Sequence, residues 1–169
     1  MEGSRISADI ARSVLDSLEE QVAILDCNGA ITQVNEAWKQ SAAEDRSLTA
    51  EASVGSRYPD LLRAAAAAND RDAADLGAGI ESVVAGSTVL FEHEYMRQRG
   101  DRVHWFTSRV TRLRTNEGGA VVAHYEITDR KRAEHERESH RYELGRAVRA
   151  ATLGQLSGAL AHELNQPLT

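Results

Sequence analysis

The chain has 169 residues, 41% of them hydrophobic and 27% charged, with a formal net charge of −6 at neutral pH. That length holds one core of ordinary size with some extra helix, and hardly two full globular cores. The acidic balance, with no basic block longer than Arg130-Lys131-Arg132, argues against a nucleic-acid partner. No apolar run approaches the roughly eighteen residues of a bilayer span, and Met1 to Ile10 lack the apolar centre of a signal peptide, so a cytoplasmic location is expected. The single cysteine, Cys27, cannot form an internal disulfide, and no basic neighbour favours its thiolate.

Ile10, Val14, Leu15 and Leu18 have helical spacing, which predicts a short amphipathic helix over Asp9 to Leu18. Val22 to Leu25 and Ala30 to Val34 flank Asp26-Cys27-Asn28-Gly29, a hairpin signal because Asn and Gly both tolerate positive φ. Asn35 then reads as the N-cap of a helix that contains Glu36-Ala37-Trp38. From Ala42 to Ser87 the pattern is helical, first around Leu61, Leu62 and Ala64 to Ala68, then from Ala73 to Val84. Three strands follow, Thr88 to Gln98, Arg102 to Leu113 and Ala120 to Thr128, with turns at Gly100-Asp101 and Gly118-Gly119.

Two strands, several small helices and three strands, in that order, resemble a PAS domain. The resemblance is carried by Asp26-Cys27-Asn28-Gly29, Val34 to Trp38, Glu94-Tyr95, Trp105-Phe106 and, above all, Glu126-Ile127-Thr128-Asp129-Arg130-Lys131. It runs roughly from Ser13 to Arg132. It implies an α+β PAS fold, a five-stranded antiparallel sheet with flanking helices, followed by a long C-terminal helix. The expected domains are an N-terminal tail and helix start over 1–12, a PAS sensor domain over 13–128, a coiled-coil arm over 129–151 and a phosphotransfer segment over 152–169. Glu126, Thr128 and Asp129 match the family motif that links the last strand to the outgoing signalling helix. Glu126 stands where the family usually has Asp.

From Asp129 a long charged helix is predicted, with Ala133, His140, Leu144, Ala147 and Ala151 near a seven-residue seam. Farther on, Leu153, Leu156, Leu160, Leu164 and Pro167 fall within about 40° of one line, a stripe fit to be buried. His162 projects away from that stripe. The two seams lie on nearly opposite sides of one straight helix, so the buried face must change phase between Val148 and Leu153.

His162-Glu163-Leu164-Asn165-Gln166-Pro167-Leu168, led in by Ala151 to Leu156, looks like the H-box of two-component sensor histidine kinases. A zinc-binding His-Glu-x-x-His helix is ruled out by Gln166. The resemblance implies that His162 is the phosphoacceptor and Glu163 the general base, with Asn165 and Gln166 auxiliary. It also implies ATP and Mg2+ bound by an ATP-binding domain outside these residues, a response-regulator receiver domain as partner, and a homodimer. The rival is a non-enzymatic PAS interaction module whose terminal helix only dimerises.

PAS domains hold varied ligands, and residues weaken two choices here. No histidine occurs between Ala42 and Glu92 to serve as the haem axial ligand, and Cys27 is outside the helical region that a photoactive flavin site needs. His93, His104 and His124 fall on three successive strands, but isolated strand histidines are more often packed or on the surface, and no metal is expected. The remaining candidate pocket comprises Tyr58, Phe91, Tyr95, Trp105, Phe106 and Tyr125, each also a natural core residue.

Overall fold

The structure, a computed structural model, describes residues 2–44, 52–99, 101–115 and 117–164. Two units divide the chain, Met1–Ile127 and Thr128–Thr169. The first contains α1 (Glu2–Asp16), β1 (Gln21–Leu25), β2 (Ile31–Val34), α2 (Glu36–Glu44), α3 (Tyr58–Ala67), α4 (Arg71–Val84), β3 (Leu90–Arg99), β4 (Arg102–Arg112) and β5 (Ala120–Glu126). The second contains α5 (Thr128–Leu164), a helix of 37 residues.

The strands form one antiparallel sheet in the order β2-β1-β5-β4-β3, so the chain's first hairpin pairs with its last strand. Asp26 makes the first turn: its Oδ1 accepts the amides of Asn28 at 2.8 Å and Ala30 at 2.9 Å. Only Gly29 takes positive φ there, at 77°, and Asn28 does not. The Asn-Gly expectation therefore holds for the hairpin but not for its mechanism, because the Asp26 carboxylate supplies the turn's hydrogen bonds. At the last hairpin both Gly118 and Gly119 have positive φ, and a side chain at Gly119 would strike the Leu25 carbonyl.

One sheet face carries the core. Ala23 and Leu25 of β1, Val110 of β4 and Val122 of β5 alternate inward and meet Tyr58 and Leu62 of α3 and Leu76, Ile80 and Val83 of α4. The 3-4-3 spacing of Ala73, Leu76, Ile80 and Val83 buries one stripe of α4. Asn69, at φ 77°, ends α3, and the Asp70 side chain accepts the Ala73 amide at 3.0 Å to start α4. Gly79 lets α4 approach β3, since a methyl group there would overlap the Phe91 ring.

Asn35 joins four segments at one buried amide. Its Oδ1 accepts the Trp38 amide at 3.0 Å, as an N-cap should, and also the Val22 amide at 2.9 Å. Its Nδ2 donates to the carbonyls of Glu20 at 2.7 Å, Leu15 at 3.1 Å and Leu18 at 3.3 Å. Asp16 of α1 adds a second tie by accepting the Glu36 amide at 3.0 Å. Held in this way by its C-terminal end, α1 leaves Ile6, Ile10 and Val14 exposed, by 57%, 59% and 56%.

Along α5, Asp129 pairs with Arg132 at 3.4 Å and Glu134 with Arg130 at 3.8 Å, each about one turn apart. Tyr142 and Leu144 are exposed. The helix is continuous from 148 to 153, so the predicted change of face falls within unbroken helix.

Two substitutions test this account. Asn35→Ala strands several buried backbone groups and removes a cap, and should lower unfolding free energy by at least about 2 kcal/mol in a urea titration. Gly79→Ala should cost about 1–3 kcal/mol through overpacking, with partial recovery when Phe91→Leu makes room.

Candidate functional site

Strand alternation sorts the candidate aromatics. Phe91 and Tyr95 of β3 and Phe106 of β4 share the inner face with Tyr58 of α3, and Tyr95 is directly opposite Phe106 in register. Trp105 and Tyr125 are one residue out of phase with Phe106 and His124, so they fall on the outer face. The structure therefore brings four of the six together and separates two. Of the separated pair, Tyr125 has the Arg109 guanidinium 6.0 Å from its ring centre.

At the centre of the inner face is His124, 1% exposed. Ser108 Oγ approaches its Nδ1 at 2.6 Å, Tyr95 Oη approaches the same nitrogen at 2.8 Å, and Tyr58 Oη meets Nε2 at 3.3 Å. A neutral imidazole has one donor and one acceptor nitrogen, so the two hydroxyls at Nδ1 share one position. Burial, and secondarily the positive charge of Arg97, push the His124 pKa from 6.5 down to about 3. Burial also raises the Tyr58 hydroxyl well above its ordinary value, with Tyr95 adding to the effect and Arg97 opposing it. Trp38 closes the cluster, its ring 5.6 Å from Tyr58 and 5.4 Å from His124, with Nε1 donating to the Ala52 carbonyl at 3.1 Å.

These rings fill the space between sheet and helices. A cavity of about 90 Å³ remains between α3, α4 and β3, beside Tyr58, Tyr95 and Arg97. That is room for a few water-sized groups and well below the several hundred Å³ of a typical cofactor site.

The three strand histidines go separate ways. His93 stacks between Phe91 and Tyr95, at 6.4 and 6.3 Å, and its Nε2 meets Asp72 at 2.9 Å. His104 Nδ1 meets Glu126 Oε1 at 2.7 Å. Among the described residues no three metal-capable side chains converge.

Glu126, at the end of β5, thus finds its partner across the sheet. One residue later the Ile127 amide donates to the Trp105 carbonyl at 2.7 Å, the last rung before α5. Thr128 opens α5 and Asp129 is in its first turn. Residues 162 and 163 fall within α5, whereas Asn165 and Gln166 lie outside the described residues. Sequence reading missed His124 and Ser108 as the hub. The available signal was alternation, since Ala120, Val122 and His124 share one face of β5, as Phe106, Ser108 and Val110 share one face of β4.

Comparisons with known proteins match this architecture. The family model of the PAS fold matches residues 15–132, and the chain belongs to the PAS family. A 104.1 kDa uncharacterised protein of Rhodobacter capsulatus, from the region 3′ of hypE, is 38% identical over 122 residues. The match takes in 70% of this chain and 13% of that protein, so the chain spans only a small part of that relative's length. Among solved structures, the histidine kinase ThkA in complex with the response regulator TrrA is 24% identical with a TM-score of 0.50, covering 92% of this chain and 40% of that one. An RNA-binding light-oxygen-voltage receptor is 15% identical with a TM-score of 0.52, covering 96% and 40%. At these identities the likeness is one of fold. The chain contains a PAS sensory domain, similar to those of histidine kinases.

A neutral His124 gives the fold a defined pH response. As pH falls below 6.5, the unfolded chain takes up a proton at this residue that the folded chain refuses until pH nears 3. Stability from this group is fully present above 6.5 and is lost across that window, by up to about 1.4 kcal/mol per pH unit. Urea titrations at pH 7 and pH 5.5 should show the loss, and His124→Gln should remove this group's share of it.

Proposed function

We propose that the chain is the sensory and dimerisation portion of a two-component sensor histidine kinase, with His162 as phosphoacceptor and Glu163 as general base. The observation that carries this is the string Ala151 to Leu168, in which His162, Glu163, Asn165, Gln166 and Pro167 stand together as in an H-box. Membership of the upstream residues in the PAS family supports it, because sensor input has to reach such a histidine from somewhere.

In this reading an imidazole nitrogen of His162 attacks the γ-phosphorus of ATP. The bond to the leaving ADP oxygen breaks, and Glu163 takes the proton from the other ring nitrogen. Asn165 and Gln166 assist in orientation. ATP and Mg2+ are held by an ATP-binding domain supplied from outside these residues. The phosphoryl group then passes to an aspartate of a receiver domain. Glu126, Thr128 and Asp129 couple the sensor to the outgoing helix, and α5 carries a coiled-coil arm in a homodimer. Tyr58, Phe91, Tyr95 and Phe106 form the sensor's inner wall, where only a small ligand fits the 90 Å³ beside them.

A second reading, a non-enzymatic interaction module, is favoured by the exposed Ile6, Ile10 and Val14 on α1, which suit a helix partner. Labelling with γ-labelled ATP, with the ATP-binding domain of the full-length protein supplied, separates the two. Labelled phosphate on the chain should disappear in His162→Gln and form about 10²-fold more slowly, or worse, in Glu163→Gln. Phosphate that persists in His162→Gln would falsify the phosphoacceptor assignment, and no labelling at all would favour the interaction module.

A further inference from the structure

A second hollow lies away from the aromatic cluster's small cavity. It is a cleft of about 390 Å³ between α2, the segment joining α1 to β1, and the ends of β4 and β5. That volume suits a small molecule. Its charged lining groups are Glu19, Glu20 and Glu126, and no lysine or arginine lines it. The one histidine on its wall is His124, which burial keeps neutral. Phe106 and Ala37 supply apolar surface.

Gln21 marks the place where polarity is unanswered. It opens β1 opposite His124 in register and lines the cleft, and its Oε1 is buried without a hydrogen-bond partner. Buried carbonyl oxygens are almost always satisfied, and an orphan is expected to be met by water or by a donor from a ligand. An anion would meet three carboxylates and a carbonyl oxygen. A metal ion would find no convergent ligand set, since none occurs among the described residues. An N–H-bearing cation with an apolar body satisfies every lining group at once: charge against the glutamates, a donor for Gln21, and hydrocarbon against Phe106 and Ala37.

We propose that this cleft binds a small organic cation, an alkylammonium or alkylguanidinium group, whose N–H donors meet Gln21 Oε1 and the Glu19 and Glu20 carboxylates. The site does not depend on the proposed kinase output, because binding can be read on this chain alone. It would place a ligand against β5 beside Glu126, two residues before α5.

The test is an amide-detected NMR titration of the whole chain with butylammonium chloride and with butylguanidinium chloride, against sodium butyrate and sodium chloride at equal ionic strength. Saturable shifts are expected at the Gln21 side-chain amide and at the backbone amides of Ala37, Gln40 and Ser41, with the two cations only. Glu19→Gln combined with Glu20→Gln, both near the surface, should weaken binding about tenfold and leave the melting curve unchanged, and Gln21→Leu should weaken it by a similar factor. The proposal is overturned if the shifts never saturate, appear equally with sodium chloride, map elsewhere, or survive the Glu19 and Glu20 changes at full affinity.

Discussion

The sensor core depends on an imidazole that cannot be charged where it stands. His124 is buried at the centre of the sheet's inner face, and its two nitrogens are met by hydroxyls from α3, β3 and β4. An apolar residue at that position would pack, but it would not tell Tyr58, Tyr95 and Ser108 where to sit. The hydrogen bonds fix the register of three strands against one helix, and each hydroxyl would be costly to leave unpaired in such surroundings. Trp38, against both Tyr58 and His124, carries the same constraint to α2. The aromatic residues are therefore structural partners of a polar centre, and that centre occupies much of the space a larger cofactor would take.

Asn35 does for the outside of the domain what His124 does for the inside. The end of α1 has no strand to pair with, and its carbonyls at Leu15 and Leu18 are satisfied by one side-chain amide from across the fold. Because that attachment uses polar groups, the apolar side chains of Ile6, Ile10 and Val14 are left facing outward. This is the reverse of the usual arrangement for a helix on a globular core. The three residues are placed by the fold and not consumed by it.

What could be read from the chain followed the range of the interactions. Asp26 to Gly29 and Gly118-Gly119 announced their hairpins because a turn is settled by residues within four positions of one another. Asn35 announced itself as a cap for the same reason, yet its three carbonyl partners upstream did not, since they depend on where α1 ends. The split between α3 and α4 rests on the left-handed Asn69 and the Asp70 cap, two residues that read as any polar loop. Trp105 and Phe106 are neighbours in sequence and face opposite sides of the sheet, and only the register with β3 and β5 decides which faces the core. The His124 partners come from residues 58, 95 and 108, separations that no local pattern encodes. The terminal string around His162 was legible because its residue identities, rather than its contacts, carry the resemblance.

The unbroken course of α5 imposes arithmetic on the gene. Ile127 is the last residue fixed to the sheet, and from Thr128 onward the direction of every side chain is set by counting at about 100° per residue. A deletion of one codon between there and residue 162 would turn everything downstream by more than a quarter of a circle, whereas a change of seven would restore the facing to within about 20°. Length in this stretch is therefore heritable in steps. Related chains that share both the sheet and the terminal string should differ here by sevens, or by combinations of threes and fours, and individual side chains along the helix can vary freely so long as the count is kept.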